Sequence, residues 1–238
     1  MRREAIALTF AFGFPSAAAA IYFVVLGGPP TADAGNRAMQ VAYGTAKTIQ
    51  FSFPIVYLLL VEPSAFRTLR LTRQGVRLGI LFGLLVGIVI AAVEPTVLPV
   101  WFSELPKNVR RKVAEFGVSQ PARYAMLATF LSVVHSFLEE YYWRWFLFGR
   151  LRKLVSFRVA AVISGVGFMG HHVFVLCEYL PEQFWSGVVP FSFAIAIGGI
   201  VWAWLYERTG SLLGPWISHF LVDAALMWVG YRMVFSGS

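Results

Sequence analysis

Apolar residues run through this chain in long stretches separated by short polar connections. Seven stretches reach the roughly 20 residues that a helix needs to cross a bilayer: about 5–27, 42–61, 77–100, 124–148, 159–180, 188–206 and 211–234. Pro15, Pro54, Pro95, Pro190 and Pro215 fall inside or near the starts of these stretches. Membrane helices tolerate proline better than soluble ones, so these positions predict kinks or helix starts. One connection has a pattern of its own. Within 103–120, Leu105, Val109, Val113 and Phe116 recur three or four apart, while Lys107, Arg110, Arg111 and Lys112 fall mostly off that face. That spacing predicts an interfacial amphipathic helix. No repeat period or Gly/Ser linker interrupts the series. The expectation is one all-α polytopic membrane domain over 1–238, with about seven to eight transmembrane helices and one interfacial amphipathic helix.

Composition changes the picture only in degree. The chain is 58% hydrophobic and 13% charged, against about 25% charged in an average soluble domain. Its 22 Phe and 8 Trp suit helices surrounded by lipid and anchored at the headgroups. The net charge of +8 would suggest nucleic acid in a soluble protein. Here the basic residues sit between apolar runs, so they read as topology signals and contacts to membrane lipids, and no nucleic-acid partner is expected. Arg2 and Arg3, the group Arg67, Arg70, Arg73 and Arg77, the group Arg150, Arg152, Lys153 and Arg158, and Arg208 mark the predicted cytoplasmic ends. The single cysteine, Cys177, allows neither an intrachain disulfide nor a thiolate pair for a metal. The first apolar run exceeds the 7–15 residues of a signal-peptide core, which favours a retained first span.

The candidate chemistry is a set of ionisable residues at membrane depth. A charged side chain there costs at least about 2.5–3.5 kcal/mol on insertion scales, so such groups face a protein interior or a cavity. The fourth stretch holds His135, Glu139, Glu140 and Arg144; the fifth holds His171 and His172; the seventh holds His219 and Asp223. Glu140 and Arg144 are spaced i, i+4 and can pair on one helix face, a structural role. Glu139 is rotated about 100° from Glu140 and is left to point into a cavity as the candidate base. His135, one turn before Glu139, either orients it or bonds a backbone carbonyl. His219 and Asp223 are also i, i+4, so the carboxylate can orient the imidazole or both can face one site. His172 follows Phe168 by one turn, and only one of His171 and His172 is expected to face the site.

Three of these segments resemble the signature of the CAAX protease and bacteriocin-processing (Abi) family of intramembrane proteases. They are EEYYWR (Glu139, Glu140, Arg144), FMGHH (Phe168 to His172) and HFLVD (His219 to Asp223). Each is weak alone, but all three fall in order on predicted spans within 139–223. The resemblance implies an all-helical enzyme, an intramembrane endopeptidase, cleaving a peptide or protein with a membrane-associated, possibly lipidated, tail. It implies that Glu139 and His172 activate water, that His219 and Asp223 stabilise the oxyanion, and that Glu140 and Arg144 support the architecture. Asp223 departs from the Asn of better-known members; an ionised Asp cannot donate to an oxyanion, so it either orients His219 or is protonated. The expected location is a bacterial inner (cytoplasmic) membrane, with the cavity wetted from the cytoplasmic side.

Two rival readings share these residues. Glu139, His172 and His219 can instead hold a zinc ion that acidifies its bound water, although no H-E-x-x-H occurs; the metal-free reading, with no cofactor, is preferred. The polar cluster can also serve a non-enzymatic transport or bacteriocin-immunity and binding protein as a proton relay or ion site.

Overall fold

The computed structural model describes residues 2–25, 34–61 and 72–236. Among the described residues there is no strand. The α-helices are α1 (Arg2–Ala20), α2 (Ala34–Val61), α3 (Arg73–Thr96), α4 (Leu98–Trp101), α5 (Leu105–Glu115), α6 (Pro121–Thr129), α7 (Ser136–Glu140), α8 (Gly149–Leu151), α9 (Phe157–Tyr179), α10 (Val189–Thr209) and α11 (Leu213–Phe235). Wider π-helical segments occur at Ile21–Val25, Phe130–His135, Tyr141–Phe148 and Phe184–Val188. The fold is that of an all-α polytopic membrane protein. Arg2–Phe23, Val41–Val61, Arg73–Thr96, Phe157–Tyr179 and Phe184–Thr209 are long and apolar enough to cross a bilayer. The other two predicted spans, 124–148 and 211–234, are also helical, and they carry most of the ionisable cluster. Leu26 and Gly27, at the end of the predicted first span, and Arg67 and Arg70 of the predicted cytoplasmic loop lie outside the described residues.

The chain forms two compact units. The first comprises residues 1–69, 141–178 and 183–204. Its interior is aromatic: Tyr142, Trp143, Phe146 and Phe148 are buried, and Phe146 meets Phe53 and Tyr57 edge-on. α1 belongs to this core, with Ala7, Leu8 and Ala11 buried and the Ala11 carbonyl accepting from Tyr142 Oη at 2.8 Å. Near the start of α1, Glu4 accepts from Arg150 Nη2 at 3.0 Å and from Tyr57 Oη at 2.8 Å. The Arg150 guanidinium lies 5.1 Å from the Tyr57 ring centroid. Each charge thereby keeps partners on leaving water, as low dielectric demands.

The second unit comprises residues 70–140, 179–182 and 205–238. Its frame is α3 against α11. Gly75, Gly79 and Gly83 recur every four residues on the buried face of α3. A methyl group added at Gly79 would collide with the main chain of Gly214, and one at Gly83 would meet Leu221 Cβ at 2.8 Å and the Ser218 carbonyl at 3.0 Å. In lipid, where no hydrophobic effect drives helices together, such close backbone approach is a main source of association. Thr72 caps α3, its Oγ1 accepting from Gly75 N at 3.1 Å.

The amphipathic pattern of 103–120 becomes α5, which turns Val113 inward. Its basic residues are largely engaged: Arg111 and Lys112 pair with Glu115 at 2.8 and 2.9 Å, and Arg110 Nη1 donates to the Met233 carbonyl at 2.9 Å. Burial pushes the Glu115 carboxyl up, but Lys112 and Arg111 outweigh it and hold the group below its ordinary value. Gly117, at φ +68°, closes the helix in the left-handed conformation that glycine adopts without strain.

Candidate active site

Glu139 and Glu140 end α7, and both are almost wholly buried, at 1% and 0% exposure. His219 sits two turns into α11 at 3% exposure. Its Nδ1 lies 2.8 Å from Glu140 Oε1. A carboxylate can only accept, so Nδ1 carries the proton and the ring is fixed with Nε2 turned the other way. Nε2 lies 3.7 Å from Glu139 Oε2 and 3.6 Å from Asp223 Oδ1. His135 Nε2 stands 3.8 Å from Glu139 Oε1. One imidazole thus has a carboxylate hydrogen-bonded to one nitrogen and two more carboxylates beside the other, all within the second unit.

Ideal α-helical spacing separates Glu139 from Glu140 by about 100° and gives only Glu139 to the site. The structure corrects that separation, since both carboxylates reach His219. Two causes combine. The glutamate side chain is long enough to swing across the angle, and the imidazole offers nitrogens on opposite edges of its ring. The turns before and after α7 are also π-helical, so angles computed for 3.6 residues per turn do not carry through this region.

The other predicted residues lie in the first unit. His172 Nδ1 is 2.9 Å from the Phe168 carbonyl, one turn back. A carbonyl only accepts, so here too Nδ1 bears the proton and Nε2 is the basic nitrogen. His171 is buried and stacks on Trp143, with ring centroids 5.8 Å apart and planes 3° from parallel. Both rings have aromatic neighbours, His172 meeting Phe168 with centroids 4.6 Å apart, but His171 is buried while His172 is half-buried with its tautomer set. Arg144 is fully buried, its guanidinium 4.6 Å from the Phe168 ring centroid and 5.0 Å from that of Trp202. These faces supply cation–π attraction in place of water.

The Glu140–His219 bond was not foreseen from the sequence. Seventy-nine residues separate the two, and the sequence shows only that both are ionisable residues within long apolar runs.

Comparison with known proteins gives a family match. Residues 121–225 match the family described as Rce1-like, type II CAAX prenyl endopeptidase Rce1-like. Neither a curated protein nor a solved structure matches the chain. The matched stretch contains all three motifs, from Glu139 to Asp223.

Proposed function

Residues 121–225 of this chain match the Rce1-like family of type II CAAX prenyl endopeptidases, and from that premise we propose that the protein hydrolyses a peptide bond in a membrane-associated, lipidated tail by attack of water activated at Glu139. The general class, a CAAX-type endopeptidase integral to a membrane, follows from the family and from the apolar helices. The mechanism and the substrate are our reading. The observation that carries it is the Glu140–His219–Glu139 arrangement, with its 2.8 Å bond on Nδ1 and its 3.7 Å approach on Nε2.

Each group has a task. Glu139 takes a proton from water, and its Oε2 and His219 Nε2 are spaced so that a single water can touch both. His172, with Nδ1–H committed to Phe168, offers a basic Nε2 and is assigned to share that proton. His219, held by Glu140, directs Nε2 toward the reacting carbonyl, and when protonated there it donates to the oxyanion. Preorganised donors act strongly where bulk water is excluded. Asp223 stands beside the same nitrogen and is assigned to orient it. Arg144 is assigned to hold the first unit's aromatic core. The tail that is cut lies in the surrounding bilayer, which we place in a bacterial cytoplasmic membrane.

Replacing Glu139 by Gln tests the reading. The purified protein in proteoliposomes is given a farnesylated tail peptide and its unprenylated twin. The expected result is cleavage of the farnesylated peptide by wild type and a loss of about 10²–10⁴-fold in Glu139→Gln, the range for removing a general base. A Glu139→Gln protein that cleaves within tenfold of wild type refutes it. The zinc reading, with Glu139, His172 and His219 as ligands, predicts loss of cleavage on exhaustive chelation and recovery on adding zinc; the metal-free reading predicts neither.

A further inference from the structure

The helix that delivers Glu139 and Glu140 is not a plain α-helix. Residues Phe130–His135, just ahead of α7, are wound as a π-helical segment. A π-turn accommodates an extra residue, so it rotates everything beyond it relative to an α-helix of the same sequence. The angular position of both carboxylates therefore depends on where that segment is held. Within it, Val133 accepts an external hydrogen bond: the indole Nε1–H of Trp216 donates to the Val133 carbonyl at 2.9 Å. Ser136 Oγ also reaches back into the segment, bonding the Ser132 carbonyl and standing 3.4 Å from that of Val133. The Trp216 ring meets Phe137 edge-on, with centroids 5.5 Å apart and planes at 79°.

Trp216 belongs to α11, and so does His219, one turn further along and on the same side of the helix. α11 thus grips the glutamate-bearing helix at two points. Trp216 holds the π-helical segment ahead of α7, and His219 takes Glu140 at its end. One grip alone leaves the helix free to rotate about its axis; two fix its angle. We infer that Trp216 is a positioning residue for this site: its indole N–H pins the π-turn and so sets the register in which Glu139 and Glu140 meet His219. The inference rests on the reading of Glu139 and His219 given above. It adds a residue that lies outside all three motifs.

The test separates positioning from packing. Trp216→Phe deletes the N–H and keeps an aromatic ring against Phe137. Turnover of the farnesylated peptide in proteoliposomes is expected to fall about tenfold with KM within twofold, since small misplacements of catalytic groups act on the chemical step. The thermal midpoint stays near that of wild type. Trp216→His keeps a ring N–H and is expected to restore at least a third of wild-type turnover. An unchanged kcat in Trp216→Phe overturns the proposal, and so does a drop of tenfold or more in Trp216→His. Should Trp216→Phe fail to fold, Trp216→His decides by the same thresholds. Independently of any substrate, the indole N–H of Trp216 in the wild-type protein should exchange slowly with solvent deuterium by NMR. Exchange as fast as that of an exposed indole also refutes the pin. Loss of function in Glu139→Gln alongside normal kinetics in Trp216→Phe sinks only this inference. Activity surviving in Glu139→Gln sinks the catalytic reading itself.

Discussion

Replacing Glu140 by alanine removes the carboxylate bonded to His219 Nδ1 at 2.8 Å and leaves the imidazole N–H in a place where His219 is 3% exposed. A hydrogen bond to a charged group contributes about 1.5–3 kcal/mol, and a buried donor left without an acceptor costs a similar amount. If that energy holds His219 in its working tautomer and direction, its loss raises the barrier by the same amount. At about 1.4 kcal/mol per factor of ten, kcat/KM should fall roughly 10- to 150-fold. Glu140→Gln keeps an oxygen acceptor and loses only the charge, about 1 kcal/mol, so it should fall about fivefold. The assay is initial-rate cleavage by purified protein in proteoliposomes, paired with thermal unfolding in detergent. The Glu140→Ala, His219→Ala double variant closes a cycle whose coupling should match the single loss. A well-folded Glu140→Ala enzyme within threefold of wild type would mean that this carboxylate does not orient His219, and the assignment would fail.

Other substitutions test the frame. Gly79→Leu drives a side chain into the main chain of Gly214 and should separate α3 from α11; expected are loss of at least 2–4 kcal/mol, within the upper range for point changes, and loss of cleavage, read by unfolding in detergent. Gly79→Ala should be milder in the same direction. Tyr142→Phe deletes the bond to the Ala11 carbonyl and should destabilise by about 0.5–1.5 kcal/mol, seen as a lower thermal midpoint with cleavage retained. Replacing Arg150 by Met leaves Glu4 without a bidentate partner and should loosen α1, seen as faster proteolysis near the N-terminus of the reconstituted protein.

How much was legible beforehand differs by level. Helical class and membrane residence are written in run length, because lipid forces every backbone polar group to be satisfied within its own segment. The residues of the candidate site could be picked out too, since each of Glu139, Glu140, His219 and Asp223 stands out against an apolar background. Their mutual geometry was not. Period arithmetic presumes 3.6 residues per turn, and around Phe130–His135 and Tyr141–Phe148 the chain does not keep that period. The π-turns have no composition of their own, and a partner such as Trp216, which bonds the Val133 carbonyl inside one of them, comes from a distant part of the chain. The Glu140–His219 bond is invisible for a related reason, being made between segments far apart in the chain.

The contact between α3 and α11 has a consequence for how the site is kept in order. Where Gly79 meets Gly214, main chain touches main chain, and a main chain has no rotamers to freeze. Holding α11 in place there forfeits no side-chain entropy, unlike a contact between leucines. The usual penalty for glycine, its excess freedom when unfolded, is also muted, since a segment in lipid is already helical before it packs. His219 and Asp223 therefore ride on a helix seated, at Gly214, on a contact that costs little entropy, and the tolerance at that point is set by the thickness of two backbones.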